Sequence, residues 1–214
     1  SNNKSLIGLL ILMALVSLAS PNFLSVDNLL NILRQTSINA IIAMGMTFVI
    51  LTAGIDLSVG SILALAGAIC ATMIAADMPL IFALVTTVMI GAALGASGGA
   101  VISFFGVQPF IATLVGMTII RGLTLVYSDG RPISTGDLDV AEAFFQWGGG
   151  YILGIPVPVI IAFVVFTLCW FVLNHTKMGR YVYAIGGNEQ VARLAGINVS
   201  RVKIGVYAIS GALA

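Results

Sequence analysis

Apolar residues run through this chain in long blocks, without the alternating or three-to-four spacing of a half-buried strand or surface helix. A helix needs about 20 apolar residues to cross the hydrocarbon of a bilayer. Against that length the blocks predict spans near residues 5–20, 36–53, 61–76, 79–105, 110–127 and 156–173. A seventh starts at 204–214 and is too short to cross. The expected fold is all-α: a polytopic transmembrane helical bundle, truncated after the start of a seventh span. The chain reads as the N-terminal part of a longer membrane domain.

Two polar intervals set the topology. Residues 128–155 carry Asp129, Asp137, Asp139 and Glu142 against Arg131 alone, whereas residues 174–203 carry Lys177, Arg180, Arg193, Arg201 and Lys203 against Glu189. Basic residues stay on the cytoplasmic side, so 174–203 and the N-terminus with Lys4 are expected inside and 128–155 outside. Trp147, Tyr127 and Tyr151 fall near the expected membrane surfaces and read as interface anchors.

Composition excludes a soluble domain: 59% of residues are hydrophobic and 8% charged, with mean hydropathy +1.12. The net charge of +1 carries no further message. Cys70 and Cys169 lie inside apolar runs and read as buried free thiols. The first run is followed by Ser20, Pro21 and Asn22 with no small-residue cleavage site, so it reads as a retained span.

Polar residues inside this apolar background are the candidate chemistry. At 100° per residue Asn28, Asn31, Gln35 and Asn39 share one face of a helix that Ser25 can cap, with Ile32 in the same arc. Such a stripe either hydrogen-bonds neighbouring helices or lines a path for a hydroxyl-rich solute. Further on, Gly54 and Gly60 flank Asp56, with Ser58 and Ser61 able to bond freed backbone groups. This predicts a broken helix or tight reversal, which membranes tolerate only where it is buried in protein or lines a cavity. Asp56 either caps the next helix or pairs with Arg121, the other charge well inside a span.

Gly91, Gly95 and Gly99 stand four apart and predict a face for close helix packing. Gly95-Ala96-Ser97-Gly98 also matches the nucleophile motif of intramembrane serine proteases. The base such a protease needs could come only from His175, the single histidine.

Three segments in order carry a likeness to a known family: SPNFLSVDNLLNILRQTSINAIIAMGMTFVILTAGIDLSVGS at 20–61, QPFIATLVGMTIIRGLTLVYSDGRPI at 108–133 and GRYVYAIGGNEQVARLAGINVSRVK at 179–203. The chain resembles the permease subunits of bacterial sugar-importing ABC transporters, in the branch that includes the ribose importer. The resemblance implies a non-enzymatic path subunit in the bacterial inner membrane. It implies import of ribose or a related monosaccharide by alternating access, in contact with membrane lipid. The implied partners are a cytoplasmic ABC ATPase, an extracytoplasmic sugar-binding protein and a second permease subunit, in a homo- or heterodimer. Neither a cofactor nor nucleic acid belongs to that picture. The chain lacks a G-x-x-x-x-G-K-[ST] phosphate loop. A secondary transporter or channel would explain the broken helix and polar stripe equally well, but not a capped cytoplasmic helix.

Within 174–203, Asn188 can cap a short helix that begins at Glu189 and ends at Gly196, with Val191, Leu194 and Ala195 on its apolar side. In permeases of the resembled kind such a helix docks into a groove of the ATPase. Ala192 to Gly196 looks like their coupling motif, with the usual leading glutamate displaced to Glu189. The implied coupling residues are Asn188, Glu189, Ala192, Arg193 and Gly196; those expected at the solute path are Asn28, Asn31, Gln35, Asn39, Asp56, Ser58 and Arg121.

Overall fold

A computed structural model describes residues 4–136 and 139–214. In chain order it comprises α1 (Lys4–Ala19), α2 (Val26–Leu51), α3 (Val59–Ala75), α4 (Leu80–Phe105), α5 (Pro109–Tyr127) and α6 (Asp139–Gly149). The hairpin β1 (Tyr151–Ile152) and β2 (Ile155–Pro156) follows, then α7 (Val157–His175), α8 (Lys177–Gly187), α9 (Glu189–Leu194) and α10 (Val199–Ala212). The helices α2, α4, α5 and α7 are long and apolar enough to cross a membrane, while α1 and α3 are shorter apolar helices. Helix predominates because an apolar segment in hydrocarbon must satisfy every backbone group internally. Large apolar side chains such as Leu18, Val126, Phe105 and Phe163 point outward.

Local chemistry places the boundaries. The Ser25 hydroxyl accepts the Asn28 N–H and starts α2, which runs unbroken for 26 residues. The amide stripe and the second expected span are therefore one helix. Gly106, at φ 64°, lets the chain leave α4, and Pro109 opens α5. Residues 128–155 include α6 and all of the hairpin but Pro156; Asp137 lies outside the described residues.

The basic interval is also more ordered than a loop. It forms α8, α9 and the start of α10, and α10 begins at Val199, not at 204, because Asn198 accepts the Arg201 N–H and caps it. The last helix of the chain is also its most enclosed, burying Val199, Val202, Val206, Tyr207, Ser210 and Gly211. It runs antiparallel along α4, whose Gly91, Gly95 and Gly99 face Gly211, Tyr207 and Ile204. A Cβ at Gly95 would overlap the Tyr207 carbonyl oxygen, so only glycine permits this approach. The main apolar core joins Phe48 and Val49 of α2, Val182 and Ile185 of α8, Ala192 of α9 and the α10 valines at one end of the bundle. At the opposite end α6 packs through Ala141 onto Cys70, Ile74 and Ala83.

Candidate functional site

Between α2 and α3 the chain passes through a turn into a non-helical segment in which Thr52, Gly54, Asp56 and Ser58 are buried and Ala53 and Ile55 exposed. The break begins where the Thr52 hydroxyl returns to the Val49 carbonyl at 2.8 Å and Ala53 takes φ 57°. The end of α8 closes over it, with Gly186 against the Leu51 carbonyl so tightly that a Cβ would not fit.

Asp56 is 1% exposed and fully occupied. Its Oδ1 accepts the Ser58 N–H at 3.0 Å and the Ser58 hydroxyl at 2.6 Å; its Oδ2 accepts the Ser210 hydroxyl from α10 at 2.9 Å. Ser58 is the N-cap of α3, so the carboxylate sits at the positive end of that helix. Beside it the Ile55 carbonyl accepts from the Tyr207 hydroxyl of α10 at 3.2 Å, and the Thr113 hydroxyl of α5 stands 3.3 Å from the same carbonyl.

The pairing of Asp56 with Arg121 is therefore corrected. Thr113 is the α5 residue that meets the break, and Arg121, eight residues later, stands about 12 Å further along that helix. Its exposed side chain lines a cleft of about 360 Å³ with Ser61 and Thr124. Asp56 and Ser58 face the protein interior, so both belong to the frame of the broken helix.

The stripe on α2 divides in the same way. Asn28 donates its side-chain amide to the Phe23 carbonyl at 2.7 Å and is spent on the chain entering the helix. Asn31, Gln35 and Asn39 are exposed and keep their amides turned outward.

At the α8 end, α9 is short but sharply defined. The Asn188 side chain accepts the Val191 N–H at 3.1 Å. Gly196, at φ 84°, donates to the Arg193 carbonyl while Ile197 donates to the Ala192 carbonyl, both at 3.1 Å. That pair of bonds is a Schellman ending, for which glycine is the favoured residue. Ala192 turns into the core, whereas Val191 is 60% and Leu194 88% exposed. Glu189 bonds Lys203 of α10 at 2.6 Å and Arg193 at 3.2 Å. The Lys203 hydrogen bond is the main influence holding its carboxyl below its ordinary value. A cleft of about 290 Å³ lies between this ion cluster and the α4–α5 turn at Gly106 and Gln108.

The protease constellation is not assembled. Ser97 donates to the Leu94 carbonyl of its own helix at 2.6 Å, and His175 packs against Trp170 and Phe171 of α7. Among the described residues no hydrogen bond joins the two. Sequence reasoning also missed Tyr207, Ser210 and Thr113. Their signal was a hydroxyl inside an apolar helix, too common a feature to single them out without the fold.

Membrane-length helices around a buried break, with a capped helix presenting apolar residues at one end, are features of a transport permease component. The chain belongs to the family described as branched-chain amino acid transport system / permease component, which it matches over residues 28–214. It is 56% identical over 210 residues to the ribose import permease protein of Haemophilus influenzae, covering 98% of this chain and 65% of that protein. To the ribose import permease protein of Bacillus subtilis it is 51% identical, over 97% of this chain and 64% of that protein. It is 40% identical to the D-allose transport system permease protein of Escherichia coli, over 96% and 63%. The chain thus spans slightly less than two thirds of the length of these relatives. No solved structure matches it.

Proposed function

We propose that the chain is the membrane-spanning permease part of an ATP-driven importer for a monosaccharide, ribose or a closely related sugar, working by alternating access. The observation that carries this reading is the outward apolar face of α9. Val191 and Leu194 stand exposed on a helix capped at both ends and ion-paired to α10, beside the basic residues of the polar interval. An apolar pair held rigidly in polar surroundings serves a protein groove better than water or lipid. The groove belongs to a cytoplasmic ABC ATPase, with Asn188, Glu189, Ala192, Arg193 and Gly196 shaping the helix that enters it. The 56% identity to a ribose import permease protein supports the substrate class.

In this reading residues 174–203 and the N-terminus are cytoplasmic, and 128–155 face an extracytoplasmic sugar-binding protein. A second permease subunit completes the path. Asn31, Gln35 and Asn39 line it, since amides donate to and accept from sugar hydroxyls without fixing a charge. Arg121, which lines its own cleft with Ser61 and Thr124, is a further wall residue.

The test is uptake of labelled ribose into vesicles holding the full-length protein, its sugar-binding protein and its ATPase. Uptake should require ATP and be lost in Leu194→Glu together with ATPase co-purification. Uptake that persists without any ATPase would overturn the reading in favour of a secondary transporter or channel.

A further inference from the structure

We propose that α10 carries movement from α9 to the broken segment through a hydroxyl latch, with Tyr207 and Ser210 as its positioning residues; this rests on the importer reading above. At its outer end α10 is tied to α9 by the Glu189–Lys203 ion pair. About one and two turns further into the bundle than Lys203, Tyr207 holds the Ile55 carbonyl and Ser210 holds the Asp56 carboxylate. From the second attachment onward α10 lies backbone to backbone on α4, where no atom can be inserted at Gly95, opposite Tyr207, or at Gly91, opposite Gly211. A displacement of α9 therefore moves a stiff body. The compliant element is the break, whose inner residues lack helical backbone bonds.

A latch must be able to open without orphaning the buried acceptors it releases, because a low-dielectric interior penalises an unpaired polar group heavily. The break meets that condition. Thr113 has one hydroxyl hydrogen and three acceptors in reach, the Pro109 and Phe110 carbonyls of its own helix at 2.8 and 3.4 Å and the Ile55 carbonyl at 3.3 Å. When Tyr207 withdraws, Thr113 turns its hydrogen to Ile55, and the Pro109 carbonyl keeps its helical partner. Asp56 keeps both Ser58 bonds when Ser210 leaves, and the α3 N-terminus still faces it. The segment thus has two satisfied arrangements, one attached to α10 and one attached to α5. Such a two-state element is what coupling between distant sites requires. Because α2 carries the Asn31, Gln35 and Asn39 face and ends at the break, a change of state there reorients that face.

The experiment measures ribose uptake and ATP hydrolysis together, in proteoliposomes of the full-length permease with its ATPase and sugar-binding protein. Tyr207→Phe and Ser210→Ala remove one hydroxyl each and stay away from α9. Their hydrolysis should remain near wild type while uptake per ATP falls about five-fold or more, the lower range of measured couplings. Ser210→Thr keeps the hydroxyl and should recover the ratio, which a purely structural role of the site would not predict. An unchanged ratio in both hydroxyl deletions, or hydrolysis and uptake lost in parallel, overturns the proposal. Should Ser210→Ala not assemble, Tyr207→Phe carries the test alone, since the ring that fills the core remains. If wild type shows no ATP-dependent uptake the importer reading fails; if it pumps and the variants keep its ratio, only the latch fails.

Discussion

Gly95 and Tyr207 meet backbone to backbone: a Cβ on the glycine would overlap the carbonyl oxygen of the tyrosine. The same relation repeats one turn away, between Gly91 and Gly211, so α4 and α10 form one seam. Gly95→Val should prise the seam apart at a cost of about 1–3 kcal/mol or more, as overpacking does. Gly98→Ala, with nothing within 4 Å of its Cβ, should be neutral. Thermal unfolding of the purified protein in detergent, followed for both variants, checks the contrast.

Asp56 and Arg121 are separate. Asp56→Ala should destabilise by about 1–3 kcal/mol, because it removes the acceptor of the Ser58 and Ser210 hydroxyls in a buried site. Arg121→Gln should stay within about 0.5 kcal/mol in stability, whatever it does to transport. The double variant should be additive to within about 0.5 kcal/mol, since the groups share no partner. A coupling clearly larger than that, in a double-mutant cycle of unfolding free energies, would restore the ion pair.

The ending of α9 depends on one dihedral angle. Gly196→Ala places a Cβ at φ 84° and should cost about 1–2 kcal/mol through left-handed strain. Asn188→Ala removes the opposite cap, for about 0.5–2 kcal/mol. Both should raise amide hydrogen exchange across residues 189–197 before the membrane helices respond.

The Glu189–Lys203 contact sets a pH dependence. The folded carboxyl titrates below its ordinary value of 4.5, chiefly through the Lys203 hydrogen bond. Its contribution is therefore complete above pH 4.5 and disappears as pH falls through the lowered folded value. Glu189 is 41% exposed at its side chain, so the contribution should be no more than about 1 kcal/mol and weaken with salt. Lys203→Met should loosen α9 at pH 7, and its difference from wild type in hydrogen exchange should vanish below the folded value. A difference independent of pH would show that packing of the lysine stem matters more.

Much of this protein was written in one dimension. A block of apolar residues long enough to cross hydrocarbon has no alternative to helix, so α2, α4, α5 and α7 follow from length and hydropathy alone. Caps are equally local: Ser25, Asn188 and Gly196 act on backbone groups within a few residues, and each does so where its spacing predicts. The repeat of Gly91, Gly95 and Gly99 marks a packing face for the same reason.

Partners are another matter, because a contact between residues 56 and 210 is a property of how helices are stacked. Gly54 and Gly60 on either side of Asp56 predicted a broken helix, but two readings of the Asp56 side chain remained open. Tertiary structure chose between them by bringing Ser210 within 2.9 Å and leaving Arg121 farther along α5. It also decided that Asn28 serves the helix entry while Asn31, Gln35 and Asn39 face outward, and that the last helix of the chain lies at its centre. In a nearly uniform apolar sequence hydrophobicity dictates helices but barely distinguishes among their neighbours. Glycine gaps and a few buried hydroxyls, meaningful only in three dimensions, select the arrangement.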